Sequence, residues 1–344
     1  MKDRTAGVEA GPPPPSGGRS GDKRRPGGDR RVAGARPQIH GVLVVAKEPG
    51  PTSHDIVALV RRLTGVRRVG HGGTLDPFAA GVLPVLVGQA TRLAEYHLGD
   101  EKEYRAVICF GARSTTDDLD GELTASDAPA PTRAAVEQAL SFFRGSLEQI
   151  PPDYSAVRIA GRRAYELARH GKKPELRPRS VTVHALDLVE WDDADQARPV
   201  ATLEMRVSAG TYVRALARDL GERLGAGAYL GALTRTASGP FRLADAHRLD
   251  VVRAALAGGR AAELLLPPDA GLDTYPQVRL TADEVNTLSR GQVVRLRRDA
   301  REAAPPGDAD ELVRAIDEGG RLVAIARRRE GRLHPEKVFS RAGG

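Results

Sequence analysis

Cysteine is nearly missing from this chain: Cys109 stands alone among 344 residues. A single thiol excludes an internal disulfide and a multi-cysteine zinc site, and its scarcity fits a reducing compartment. Aromatic residues are also sparse, at 4%, so each tyrosine carries information. No apolar run approaches the ~20 residues of a membrane span. The N-terminal stretch lacks the apolar core of a secretory signal. A cytoplasmic protein with no membrane partner is therefore expected.

Glycine, proline and arginine are plentiful instead. The formal net charge is +7, which invites a nucleic-acid reading. However, residues 1–40 hold about five of those charges, and the remainder is only slightly basic. Residues 1–38 run rich in Pro, Gly and Arg, with Pro12 to Pro15 consecutive. Such a stretch cannot bury enough surface to offset its ordering entropy, so a disordered basic tail is expected. The rest is long enough for one large domain and one small one.

Within that remainder the patterning is mixed. Gly41 to Ala46 reads as a strand. A helix follows, capped by Thr52 or Ser53, with Ile56, Val57, Val60 and Leu63 on one face and Gly65 at its end. Val82 to Val87 reads as a buried strand and Gln89 to Leu98 as a short helix. Glu103 to Phe110 alternates, with Tyr104, Ala106, Ile108 and Phe110 on its apolar face. Asp117 to Glu122 superficially resembles a calcium loop but lacks the remaining ligands, so a polar turn is expected and no metal. Thr132 to Phe143 is an amphipathic helix, Ile150 to Arg158 is extended and Gly161 to His170 is helical. Ser180 to Trp191, Pro199 to Val207 and Ala228 to Ala237 read as strands. Val213, Leu216, Ala217, Leu220 and Leu224 mark a helix face. Beyond Leu264 to Pro268, short strands at Val278 to Leu280, Val293 to Leu296, Glu311 to Ile316, Leu322 to Arg327 and Lys337 to Ser340 make a small β-rich module. The fold class is α+β, a mixed and mostly antiparallel sheet with flanking helices.

One stretch stands apart: Gly70-His71-Gly72-Gly73-Thr74-Leu75-Asp76-Pro77. Three glycines and a proline in eight residues mark a tight turn with closely approaching backbone. Pro77 pushes Asp76 towards extended backbone, which suits a carboxylate directed into a cleft. Arg214 supplies a second clue. It falls in the first turn of a helix, where a cation opposes the helix dipole at a cost of ~0.3–1 kcal/mol unless a carboxylate neutralises it. A functional ion pair is the reading that accounts for it.

The turn, continued through Phe78-Ala79-Ala80-Gly81-Val82-Leu83-Pro84, resembles the catalytic motif of the TruB family of tRNA pseudouridine-55 synthases. Lys47 to Ser53 resembles the family's lysine signature, and Lys102-Glu103-Tyr104-Arg105-Ala106 its tyrosine strand. Ile150 to Val157 with Gly161 to Gly171 resembles its thumb insertion, and Gly210-Thr211-Tyr212-Val213-Arg214 its Gly-Thr-Tyr-x-Arg motif. The C-terminal piece, with Tyr275-Pro276 and Gly291, resembles a PUA-type RNA-binding module. The blocks run in the family's order across roughly residues 39–340, and together they are specific. Departures occur at Gly72 and Ala80, where Thr is usual, and at Pro49, one place late; none touches Asp76, Tyr104, Tyr212 or Arg214.

The resemblance implies a synthase domain over 39–265 with a thumb at about 151–179, and a PUA-like domain over 270–341. It implies isomerisation of uridine 55 in the T-loop of tRNA, with no cofactor or metal, by a monomer needing no protein partner. Asp76 would be the essential carboxylate, in attack on the sugar, attack on the base or a glycal route. Arg214 would pair with it bidentately, and Tyr104 would stack on the base. Tyr212 would shape the pocket, with Leu233 against the base. Lys47 and Gly73 would meet the substrate, and His71 would fill space left by the flipped nucleotide. A guide-RNA-dependent synthase of the dyskerin type shares the Asp76 motif, but the long thumb-like segment favours the stand-alone enzyme. A non-catalytic RNA-folding chaperone is weighed down by the intact set of Asp76, Tyr104 and Arg214. A nucleotide-binding loop lacks its Lys-Ser/Thr ending.

Overall fold

The computed structural model describes residues 39–155, 157–159, 162–164, 175–296 and 310–339. The expected tail over 1–38 lies outside them, as does most of the helix expected over 161–170. Where the chain is described at 158–159 and 162–163 it forms a two-stranded antiparallel pair instead.

Seven principal strands build the large sheet: β1 (Gly41–Lys47), β2 (Ala80–Val87), β3 (Lys102–Phe110), β4 (Gly145–Gln149), β5 (Arg179–Asp192), β6 (Val200–Val207) and β7 (Ala228–Ser238). Their spatial order is β1-β2-β7-β3-β6-β5-β4. Every pairing among them is antiparallel except β2 with β7. That parallel pairing spans only Thr234–Ala80 and Arg235–Gly81. It is the crossing at which the two halves of the sheet meet, directly beneath the glycine-rich turn. The turn itself leaves a short strand, Val69–His71, that pairs with β2.

Helices α1 (Ser53–Thr64), α2 (Ala94–Leu98), α3 (Arg133–Leu140), α4 (Val213–Arg223) and α5 (Leu249–Ala257) flank the sheet. Thr52 caps α1 through a reciprocal box with Asp55, and Gly65 ends it at φ 70° in the left-handed region. The expected face packs inward: Ile56, Val57 and Val60 join Leu43, Leu83, Ile108, Leu216 and Leu220 in the main core. On β3, Ala106, Ile108 and Phe110 are fully buried while Arg105, Val107 and Cys109 are not, as the alternation predicts.

A second, five-stranded sheet contains β8 (Glu311–Ile316), β9 (Leu322–Arg329) and β10 (Arg332–Val338), edged by Gln277–Arg279 and Val294–Arg295. Its core is separate, around Val285, Leu288, Val313, Ala324 and Leu333. One helix here goes beyond the strand-only expectation: α6 (Ala282–Ser289), started by a Thr281–Glu284 capping box. Leu93 and Leu272 from the first part pack with Ile325 and Phe339 of the second.

Candidate active site

Asp76 lies between Val69–His71 and β2, and the backbone around it is held from outside almost residue by residue. Arg235, on β7, donates from Nη2 to Gly73 O (3.2 Å), from Nη1 to Thr74 O (3.3 Å) and from Nε to Val82 O (2.9 Å). Ser53, in the first turn of α1, donates to Leu75 O and accepts from Leu75 N. Lys47, at the end of β1, donates to Pro77 O (3.1 Å), Ala79 O (2.6 Å) and Glu48 O (3.1 Å). Gly50 N donates to Pro77 O, and Ala79 N closes the turn onto Asp76 O. The carbonyls flanking Asp76 on both sides therefore meet buried donors, mostly cationic. Gly73 sits at φ 146°, a conformation that L side chains rarely adopt.

The Asp76 carboxylate meets α4. Arg214 Nε stands 3.0 Å from Asp76 Oδ2. The Nε–H points off the line of contact, so this is an ion pair with poor hydrogen-bond alignment. The remaining nitrogens are taken up elsewhere. Nη1 lies 3.3 Å from Asp118 Oδ2 and donates to Thr116 O, while Nη2 donates to Tyr154 O. The expected bidentate pairing is thus not what the structure shows; one guanidinium is divided between two carboxylates. Asp118 is 4% exposed and is fixed by Thr116 Oγ1 and Asp120 N. The cation predicted to be costly in the first turn of α4 has found acceptors on every side. Tyr212 gives α4 no side-chain cap. Gln149, from β4, instead fixes the residue before the helix by exchanging two hydrogen bonds with the Tyr212 backbone.

Burial pushes the Asp76 carboxyl above its usual range, Asp118 adds to this, and Arg214 and Lys47 oppose it. The side chain still retains a third of its exposure, so a ligand can reach it. Burial lowers His71 to about 4, leaving it neutral at pH 7; its ring meets His54 edge-on at 5.3 Å. Burial also lowers Lys47 to about 8 and raises Tyr212.

The structure brings together most of the residues singled out from sequence. Asp76, Arg214 and Gly73 share the turn and its wall. Tyr104 pairs across the sheet with Arg235, and its hydroxyl interacts with that guanidinium. Tyr212 precedes Arg214 by two residues and feels the Asp76 charge. Leu233 lies one inward position from Arg235 on β7 and is 8% exposed. Lys47 differs from the expected substrate contact. It is 2% exposed, and its bonds go to backbone carbonyls, two of them, Pro77 O and Ala79 O, in the turn, so it supports the turn from behind. Asp118, Arg235, Ser53 and Gln149 were not anticipated as site residues. Asp118 was visible as a carboxylate in the polar turn, and Arg235 as a charge at an inward strand position. Among the described residues, no cluster of three or more His, Cys, Asp or Glu is arranged to hold a metal. A cavity of about 600 Å³ lined by Phe241, Asp269 and Arg314 contains neither Asp76 nor Arg214, so volume alone does not mark this site.

Comparison with known proteins agrees with this architecture. A solved structure titled "Crystal Structure of a Cbf5-Nop10-Gar1 Complex" superposes with TM-score 0.62 at 26% identity, covering 87% of this chain and 85% of that one. The fold is that of a pseudouridine synthase. Three family models match in succession: the TruB family pseudouridylate synthase N-terminal domain over 61–213, the tRNA pseudouridylate synthase B C-terminal domain over 214–273, and the pseudouridine synthase II TruB C-terminal domain over 276–339. A "tRNA pseudouridine synthase B" of Bradyrhizobium diazoefficiens is 42% identical over 90% of this chain and 88% of its own. One from Symbiobacterium thermophilum is 51% identical over 72% and 80%. The chain belongs to the TruB family of pseudouridylate synthases, and is accordingly an isomerase.

Proposed function

We propose that this enzyme converts uridine 55 in the T-loop of tRNA to pseudouridine. The observation that carries the reading is the Asp76 carboxylate, braced in its turn and set 3.0 Å from buried Arg214. Relatives named for tRNA pseudouridine formation, matching over most of the chain, support tRNA as the substrate.

The reaction breaks the bond between uracil N1 and the ribose anomeric carbon, turns the base, and joins C5 to that carbon; C5 gives up its proton and N1 takes one up. It is an isomerisation with no net redox change. Asp76 acts as the anionic partner of the sugar or base while the glycosidic bond is open, and attack on either or a glycal route uses the same carboxylate. Arg214 keeps that carboxylate charged and in place. Tyr104 stacks on the base, Tyr212 and Leu233 wall the pocket, and Gly73 lets backbone approach. The target nucleotide is extruded at a cost of a few kcal/mol, and neutral His71 occupies vacated space without a charge to desolvate. Residues of the insertion near 151–179 grip the T-arm, and the module over 270–341 meets more distant RNA. The enzyme acts as a cytoplasmic monomer without guide RNA or partner proteins.

The test is pseudouridine mapping in unmodified tRNA, and in a naked T-arm hairpin, after incubation with purified protein. Modification at position 55 in both is expected. The variant Asp76→Asn should form none while RNA binding persists; retained turnover would remove Asp76 from the mechanism. Modification only with added protein and guide RNA would favour the dyskerin-type reading.

A further inference from the structure

Arg218 stands one helical turn beyond Arg214 on α4 and repeats its contacts. Arg214 donates to Thr116 O in the turn after Ser114 and to Tyr154 O in the ribbon after β4, and Nη1 adds the Asp118 ion pair. Arg218 Nη1 pairs with Asp117 Oδ2 in the same turn at 3.0 Å, and Nη2 donates to Ile150 O in the same ribbon at 2.9 Å. Its Nε is steadied by Asp219 Oδ1 at 2.9 Å. Residues four apart lie on one helix face, so two parallel guanidiniums staple the same two segments to one helix.

These two segments supply three of the four acceptors that position Arg214. Neither is held by Arg214 alone. The turn is strained at Asp117, where a non-glycine residue sits at φ 63°, a conformation that persists only when its surroundings enforce it. Leu230 N, on β7, donates to Asp117 O, and Arg218 fixes the side chain. The ribbon is pinned at Gln149 by the paired amide contacts to Tyr212 and at Ile150 by Arg218.

We infer that Arg218 and Asp117 are positioning residues for the reaction: they hold the turn and the ribbon whose acceptors aim Arg214 at Asp76. This rests on the proposed roles of Asp76 and Arg214. Arg218 makes no contact with Asp76 itself, so its effect passes through Thr116 O, Asp118 and Tyr154 O. Lysine cannot replace it fully, because one ammonium lacks the planar fork that spans a carboxylate and a carbonyl together.

The test is single-turnover pseudouridine formation at saturating tRNA, with Kd measured separately and thermal midpoints recorded. For Arg218→Gln the rate constant should fall about tenfold, with Kd within about twofold. Arg218→Lys should recover part of the loss. Asp117→Asn should fall similarly, and the double variant should be no worse than the worse single one, since both act through one pair. If Arg218→Gln does not fold, Arg218→Lys and Asp117→Asn carry the same test. A rate within about twofold of the parent, or a loss confined to Kd, would overturn the inference, the second result making Arg218 an RNA contact. A readout independent of turnover is the exchange rate of the Arg214 Nε–H by ¹⁵N NMR, which should rise in Arg218→Gln. If the parent enzyme formed no pseudouridine in tRNA while that rate still rose, the functional reading would fail and the positioning would stand.

Discussion

Arg235 offers the sharpest test of how the turn is built. It is 1% exposed, among the described residues no carboxylate pairs with it, and burial pushes its pKa down. Besides its contact with the Tyr104 hydroxyl, the guanidinium donates three bonds to backbone: Gly73 O, Thr74 O and Val82 O. Bonds from a charged donor are worth ~1.5–3 kcal/mol each, giving roughly 4–9 kcal/mol in favour of the native contacts. Desolvating the cation offsets several kcal/mol of that. Arg235→Met removes both sides of the balance and leaves the carbonyls short of partners. The net expected loss is ~2–4 kcal/mol, within what a domain of ordinary stability tolerates. Catalysis should suffer more than folding. The released carbonyls lie two and three residues before Asp76, and a ~1 Å misplacement of a reacting group costs on the order of 100-fold. Urea unfolding reads the first quantity and single-turnover pseudouridine formation the second. A variant destabilised by that amount yet turning over within about threefold of the parent would refute the reasoning. The guanidinium would then stabilise the sheet crossing without aiming the carboxylate.

The other expectations follow from neighbouring groups. The charge of Asp118 contributes to raising Asp76; on the proposed role of Asp76 as an ionised carboxylate, activity is present above that pKa and lost as pH falls through it. Asp118→Asn should move the acid limb of the pH–rate profile to lower pH, whatever it does to the maximum; an unmoved limb would show that another group sets it. At Gly81 the backbone has φ 119°, and an added Cβ would lie 2.2 Å from Arg235 O. Gly81→Ala should therefore cost at least ~3 kcal/mol by denaturant unfolding, and a cost below ~1 kcal/mol would contradict the close packing of β2 on β7. His71 titrates at about 4 in the folded protein, against ~6.5 when unfolded. Between those values the unfolded chain binds a proton that the folded one does not, so stability falls as pH is lowered through the window. His71→Asn should flatten that slope, and unchanged slopes would show that the ring is open to protonation.

Six of the seven principal strands were readable because they alternate or run apolar, and α1 because its cap, face and terminal glycine all agree; β4 was not anticipated, since Gly145–Gln149 is mostly polar and largely exposed. Helix α6 was missed although Thr281 and Glu284 spell a capping box, since its eight residues bury only Val285 and Leu288 and offer little periodicity. The ion pair at the centre of the candidate site was legible in Asp76 and Arg214, each conspicuous for local reasons: one for its glycine turn, the other for a charge of the wrong sign in a first helical turn. Lys47 was misplaced because a sequence motif tells which residue is used but not from which side it approaches. Arg235 follows Leu233 by two residues and shares its inward face, so period-2 alternation alone would have flagged it. Asp118 could not be separated from Asp117 and Asp120, because what distinguishes it is the arrival of α4 from almost one hundred residues further along.

The division of Arg214 between two carboxylates bears on the reactivity proposed for Asp76. A carboxylate gripped bidentately would be well fixed and fully charged, but both oxygens would be committed. Here Asp118, anchored by Thr116 and Asp120, engages one terminal nitrogen, and Thr116 O and Tyr154 O saturate the guanidinium's outer edge. Only Nε is left for Asp76, at 3.0 Å and off-axis. At that separation the attraction is still ~5 kcal/mol with an effective dielectric of ~20, enough to oppose the burial that raises the Asp76 pKa. The contact therefore favours the charge without consuming the lone pairs. Fixing falls instead to the backbone clamps of Arg235, Ser53 and Lys47. Orientation and ionisation fall to different residues, and in the proposed mechanism Asp76 meets the extruded nucleoside with a carboxylate that Arg214 keeps charged but does not clamp.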